Sequence, residues 1–198
     1  MHLMRWSMIC AASASLAVLP AAAQDHGSKG DHAPAAASPY AGMETRPVKA
    51  LSEQQIADLK TGRGMGLALA AELNGYPGPA HVLELADVLA LSGEQRAATK
   101  ALIDEMKAET IPLGERIIAD ETALDRLFSE RRVTRASLDA ATARIGAAQG
   151  ELRAAHLRYH LAMAKLLSPA QIARYRELRG YAAAPAQAGH DGHHHPAD

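Results

Sequence analysis

The sequence predicts an all-α fold of elongated helical hairpins, with four to five helices, two of them long. Three observations lead to this prediction. Apolar residues recur every seven positions between residues 135 and 166. A Leu-Ser-x-x-Gln phrase opens a helical stretch three times along the chain. The composition is rich in Ala and Leu and only 4% aromatic, which favours packed hairpins over one large globular core.

The first 23 residues are predicted to be a cleaved export signal. Arg5 gives a positive start, residues 8–19 form a short apolar run, and Ala21-Ala22-Ala23 is a typical cleavage site. The run is too short to span a bilayer comfortably. We therefore expect a periplasmic protein with no membrane anchor after cleavage. The single cysteine, Cys10, lies within the signal and would leave with it.

Two segments without periodicity flank one helical domain at residues 51–181. Residues 24–50 are expected to be a mostly disordered arm, and residues 182–198 a disordered, His-rich tail. The formal net charge of -1 leaves no basic footprint for nucleic acid, so nucleic-acid binding is not expected.

Each Leu-Ser-x-x-Gln phrase is a capping box, in which Ser accepts from a first-turn N–H and Gln reaches back to the Ser N–H. The preceding Leu can pack on an apolar residue in the first turns, as Leu51 on Ile56 and Leu167 on Ile172; the middle copy has Arg96 instead. The phrase residues are Leu51, Ser52 and Gln55; Leu91, Ser92 and Gln95; and Leu167, Ser168 and Gln171.

The first capping box predicts a helix over residues 52–61. The stretch Gly62-Arg63-Gly64-Met65-Gly66, which we call the glycine-rich bend, then interrupts the pattern. No strand precedes it, and it lacks the Gly-Lys-Ser/Thr of a phosphate loop. Short helices are predicted over residues 65–73 and 81–89, separated by Tyr76-Pro77-Gly78-Pro79. No strand is predicted.

Two long helices follow, over residues 92–128 and 135–166, and a final helix over 168–179. Pro112 should kink or split the first of them. The second carries the coiled-coil pattern, which favours an antiparallel partner and burial completed by a homodimer. One row of large side chains repeats every seven residues, at Leu138, Ile145, Leu152, Tyr159 and Leu166. A second row, of alanines, has the same spacing at Ala141, Ala148, Ala155 and Ala162. Arg126, Arg131, Arg132 and Arg135 cluster around the reversal.

Two histidines on the second long helix are candidate metal ligands. His156 and His160 are four residues apart, a spacing that can place two imidazole nitrogens on one ion. Met163 continues the same stripe. If the chain reverses near residue 132, Glu109 stands level with His156 and Glu105 level with His160. The alternative is that these residues form solvated pairs beside the seam.

The tail offers a second, looser candidate for nickel, copper or zinc through His190, His193, His194 and His195, the alternative being a solvated linker. His81 is expected to cap or pack rather than to bind metal. The chain contains no Gly-x-Ser-x-Gly and no His-Glu-x-x-His, so we do not expect an enzyme.

With these features, the chain resembles the Spy/CpxP family of periplasmic stress proteins and the related heavy-metal resistance proteins ZraP and CnrX. The family's repeated Leu-Thr-x-x-Gln phrase is matched at Leu91–Gln95 and Leu167–Gln171 with Ser in place of Thr, and more loosely at Leu51–Gln55. The resemblance covers roughly residues 80–181 and implies a curved, interlocked homodimer with no enzymatic activity and no organic cofactor.

Members of this family divide into two roles, so the resemblance leaves two functions open. Some bind a divalent metal (Zn, Ni, Cu or Co) and modulate a stress-signalling partner; their His-x-x-x-His pair with a nearby Met or Glu maps here onto His156, His160 and Met163. Others are ATP-independent holdase chaperones for unfolded client proteins. The first hypothesis is therefore metal binding in heavy-metal resistance, and the alternative is a holdase or a modulator of an envelope-stress sensor.

Overall fold

The computed structural model describes residues 38–181, where all regular structure is helical, as predicted. The predicted export signal, most of the predicted arm and the histidine tail lie outside the described residues. No helix between residues 38 and 181 is long and apolar enough to cross a membrane. In chain order, a 3-10 turn (Met43–Thr45) precedes α1 (Glu53–Thr61), α2 (Leu69–Glu72), α3 (Pro79–Glu84), α4 (Gly93–Ser129), α5 (Arg135–Leu166) and α6 (Pro169–Leu178).

All three predicted capping boxes are present. Ser52, Ser92 and Ser168 each accept from the backbone N–H three residues on, and the Gln there accepts from the Ser N–H. The residues of the two predicted apolar contacts share clusters, because Ile56 packs on the cluster that contains Leu51, and Ile172 on the cluster that contains Leu167. A fourth box, Thr134 with Ser137, opens α5 and was not predicted, because Ser replaces Gln in the usual signature.

Two of the capping glutamines meet in space and form what we call the glutamine pair. Gln95 Nε2 donates to Gln171 Oε1 at 2.9 Å and to the Leu166 carbonyl at 3.0 Å. Gln171 Nε2 donates to Gln95 Oε1 at 3.0 Å and to the Leu89 carbonyl at 3.3 Å. The start of α4 and the start of α6 are therefore joined by the same side chains that cap them.

The long helices α4 and α5 pack along each other, and the predicted seam lies between them. Ala141, Ala148 and Ala155 are fully buried, and Ile145 and Leu152 nearly so. Pro112 lies inside α4 without splitting it. Two apolar clusters flank the seam. The first contains Val82, Ala86, Leu89, Leu91, Met163, Leu167 and Tyr175; the second contains Val48, Leu51, Leu59, Ile117, Ala148 and Leu152.

Helix α1 crosses α4 at very short range. A β-carbon on Gly114 of α4 would lie 2.4 Å from the carbonyl oxygen of Leu59 in α1, so only glycine fits there. Gly62, which ends α1 with φ 67°, sits equally close to α4, because a β-carbon there would lie 2.6 Å from Thr110 Oγ1. The burial of Val48 shows that packing begins before Leu51, within the segment predicted to be a mostly disordered arm.

The two short helices are shorter than predicted. The helix expected over residues 65–73 is confined to α2 because Met65 and Gly66 have φ of 44° and 76°, outside the right-handed helical region. The helix expected over residues 81–89 begins at Pro79, which suits a first helical position, and ends at Glu84. Turns then lead through Ala90, with φ 49°, into α4.

Candidate functional site

His156 is buried in the described structure, with 2% of its surface exposed. Its buried Nε2 has no hydrogen-bond partner within residues 38–181, and its Nδ1 faces the glycine-rich bend, where a β-carbon on Gly64 would lie 3.9 Å away. Burial, and then the nearby His160, lower the pKa of His156, while Glu109 opposes the shift. The ring is therefore held neutral, the form in which imidazole binds metal.

His160 lies one turn further along α5, with 12% of its side chain exposed. Its Nδ1 is 2.7 Å from the Tyr76 carbonyl oxygen, so Nδ1 carries the proton and donates. Nε2 then keeps its lone pair. The ring lies against Gly78, where a β-carbon would come within 3.1 Å of Nε2. The loop after α2 therefore fixes both the tautomer and the orientation of this imidazole.

Glu72 is a buried carboxylate next to the His160 ring and was not predicted as a site residue. Only 5% of it is exposed. Its Oε1 accepts from the Tyr175 hydroxyl, and its Oε2 accepts from the Gly78 N–H at 3.0 Å. Burial and the bond to Glu72 raise the pKa of Tyr175 above its ordinary value, so the hydroxyl keeps its proton and remains a donor.

Three cationic or potentially cationic side chains surround this carboxylate. His160 Nδ1 is 3.6 Å from Oε2, His81 Nδ1 is 3.6 Å from Oε1, and Arg179 Nε is 3.9 Å from Oε1. His81, predicted to cap or pack, lies in the first turn of α3 beside Glu72, and its buried Nδ1 has no hydrogen-bond partner among residues 38–181. No sequence signal pointed to this group, because its members come from α2, α3, α5 and the residue after α6.

The other predicted ligands are placed differently. Glu109 is close enough to affect the pKa of His156, but its carboxylate pairs with Arg158. Glu105 makes no hydrogen bond or ion pair within residues 38–181. Met163 is fully buried in the first apolar cluster, where its sulfur accepts from Thr99 Oγ1 at 3.8 Å. The tail histidines His190, His193, His194 and His195 lie outside the described residues.

A cavity of 250 Å³ opens next to the site, lined by Gly64, Met65, Gly66, Ala68, Leu69, Glu72, His81 and His160. Across residues 38–181, no three or more His, Cys, Asp or Glu side chains are already arranged so that they could hold a metal ion together. An ion on the helix histidines would therefore take its further ligands from water or from a neighbour that rotates towards it.

The lowered pKa of His156 predicts acid sensitivity of the metal-free fold. A histidine that is harder to protonate when folded contributes stability above its unfolded pKa, about 6.5, and loses it as the pH falls below that value. The free energy of unfolding, measured by urea titration in the presence of a chelator, should therefore fall between pH 7.5 and pH 5.5. His156→Leu should flatten this dependence, whereas equal slopes for both proteins would contradict the prediction.

A comparison with protein families matches residues 65–174 to the family described as heavy-metal resistance. The matched span runs from the glycine-rich bend into α6, so it contains Glu72, His81, His156 and His160. No curated protein matches the chain, and no solved structure matches it. The matched family is a non-enzymatic one of resistance and stress proteins. Because the match covers more than half of the 198 residues, the chain belongs to the heavy-metal resistance family.

Proposed function

We propose that this protein binds a divalent transition metal (Zn, Ni, Cu or Co) in the periplasm, through His156 and His160 of α5, and so senses or buffers it. The observation that carries the proposal is the imidazole of His156. Among the residues that the structure describes, nothing hydrogen-bonds its buried Nε2, and burial lowers the pKa of His156. A buried polar atom left unpaired is costly, so a ligand that accepts its lone pair would stabilise the site.

His160 supports the same proposal through its hydrogen bond. Metal-binding histidines commonly donate their second ring N–H to a carbonyl or carboxylate, which orients the ring and makes the ligand more basic. The bond from Nδ1 to the Tyr76 carbonyl has this form and leaves Nε2 as the metal donor. Glycine at position 78 supports it further, since a larger residue would push the ring away.

Glu72 is the anionic group best placed to complete the site. It is buried, and its Oε2 lies 3.6 Å from Nδ1 of His160. Imidazole nitrogen with carboxylate oxygen is a ligand set used for transition metals such as Zn. Of the residues predicted to complete the site, Glu109 would first have to leave Arg158, and Met163 would have to leave the apolar cluster. The tail histidines would act as a separate, weaker collector of metal.

The proposal predicts metal binding that depends on the helix histidines. Calorimetric titration with zinc, nickel and copper(II) should use a chain whose four tail histidines are alanine, so that only the folded site is measured. We expect about micromolar binding, lost on His156→Ala with His160→Ala and weakened about 10-fold or more by Glu72→Gln. Glu105→Gln is the matched control and should bind as the parent does.

Metal binding that survives the double histidine substitution would contradict the proposed site. No binding by this chain at all would favour the alternative, an ATP-independent holdase for unfolded clients. One observation supports that alternative: Leu69, Leu73 and Val88 are each more than half exposed, which leaves apolar surface around the short helices.

A further inference from the structure

Arg131 has an unusual backbone conformation in the turn between α4 and α5. Its φ is 55°, in the left-handed region where glycine is the usual residue at the end of a helix. Its N–H bonds the Phe128 carbonyl at 3.0 Å, and the Arg132 N–H bonds the Leu127 carbonyl at 2.9 Å. Glycine would make the same two hydrogen bonds without steric strain. The turn therefore holds an arginine side chain where folding alone favours none.

The positive charges in this turn are only partly neutralised. We call residues 126–135 the hairpin tip. Arg132 pairs with Glu130 at 3.1 Å, and Arg135 pairs with Asp139 at 2.8 Å. Arg126 and Arg131 have no hydrogen bond or ion pair from their side chains within residues 38–181. The nearby Asp125 does not compensate them, because it pairs with Lys49 at 3.3 Å.

The helix dipole explains only part of this arrangement. A cation in the last turn of α4 is stabilised by the C-terminal end of the helix, which accounts for Arg126. It does not account for an arginine held in a strained backbone conformation just beyond the helix. Two uncompensated guanidinium groups at one end of a hairpin concentrate positive charge there, which would favour an anionic partner.

An exposed aromatic residue lies between the two free arginines in the sequence. Phe128 is the only phenylalanine of the chain and is 54% exposed. An aromatic ring flanked by cations is typical of segments that bind the headgroup region of a bilayer, where the ring enters the acyl boundary and the cations meet anionic lipid. A soluble polyanion would gain little from the ring.

We propose that the hairpin tip docks on an anionic phospholipid surface through Phe128, Arg126 and Arg131. Binding should be weak and reversible, because one ring and two free cations contribute little each. It should also fall as salt rises to about 0.15 M, where the screening length is about 8 Å. The proposal is independent of the metal site, since none of its three residues contacts His156, His160 or Glu72.

Vesicle co-sedimentation tests this proposal. The chain from Gln24 onward avoids the apolar run of residues 8–19, which would itself enter a bilayer. We expect binding to vesicles of phosphatidylglycerol with phosphatidylcholine and none to phosphatidylcholine alone. Arg131→Gly should lower the partition coefficient about fivefold, the effect of one charge near the surface. Phe128→Ala should also weaken binding, whereas Arg153→Gln, which changes an exposed and unpaired arginine of α5, should not.

Arg131→Gly also separates binding from folding. Because glycine relieves the left-handed strain, its urea midpoint should not fall while its vesicle binding does. The proposal is overturned if the parent shows no dependence on phosphatidylglycerol, or if Arg131→Gly binds as well as the parent. It is also overturned if heparin binds equally well and Phe128→Ala has no effect, since the tip would then be a site for soluble polyanions.

Discussion

Gly114→Ala should lower the free energy of unfolding by about 2–3 kcal/mol, the upper part of the range for overpacking a close contact. The new β-carbon would lie 2.4 Å from the Leu59 carbonyl oxygen and 2.8 Å from the carbonyl carbon. Both atoms belong to the backbone of α1, so no side-chain rotation can relieve the clash. Helix α1 would have to move away from α4, which would open the second apolar cluster around Leu59 and Ile117.

Gly150→Ala is the matched control for this prediction. Gly150 lies inside α5, and a β-carbon there would have no atom within 4 Å apart from the adjoining residues and backbone of its own helix. The same chemical change should therefore stabilise the protein by about 0.5–1 kcal/mol, because alanine is the better helix former. Urea titrations of both variants give the two free energies. If both substitutions shift stability in the same direction, α1 does not cross α4 as described.

Gln95→Ala should lower the free energy of unfolding by about 2 kcal/mol. The loss of a cap accounts for about 1 kcal/mol, and the rest comes from leaving partly buried groups unpaired. The side chain of Gln95 closes the capping box of α4 and bonds both Gln171 and the Leu166 carbonyl. Gln171→Ala should cost a similar amount. Because both residues belong to the glutamine pair, the double variant should lose at least about 0.5 kcal/mol less free energy of unfolding than the sum of the two single losses.

Gln55→Ala separates the two roles of the glutamine. Gln55 closes the capping box of α1 through its bond with Ser52 at 2.9 Å, but it has no partner distant in sequence. Replacing it with alanine should lower the free energy of unfolding by about 1 kcal/mol, the effect of losing a cap alone. Equal losses for Gln55→Ala and Gln95→Ala in urea titrations would show that the glutamine pair contributes no stability.

The predictions from sequence succeeded where the cause is local. Capping boxes act over four residues, so the starts of α1, α4 and α6 could be predicted from Ser52, Ser92 and Ser168 alone. The seven-residue pattern of α5 likewise predicted the burial of Ala141, Ala148 and Ala155, whereas Ala162 of the same row is only half-buried. The glutamine pair and the crossing at Gly114 could not be predicted, because each joins residues more than 50 positions apart whose meeting depends on how the helices pack.

The candidate site shows the same division. Spacing along one helix predicted that His156 and His160 share a face, and the register of the hairpin brought Glu109 near His156. The register could not show that Arg158 would engage that carboxylate. Glu72 escaped prediction because it lies on a helix of one turn, where no periodic pattern separates a buried glutamate from an exposed one.

The glycine-rich bend has a kinetic consequence for the proposed site. His156 is buried, and the bend that follows α1 lies over its ring at Gly64. An ion reaching His156 would have to wait until this segment opens locally. The rate of loading would then level off as the ion concentration rises, at the opening frequency of the segment. A site whose loading is limited in this way would bind metal during sustained exposure but not during exposures shorter than the opening time of the segment.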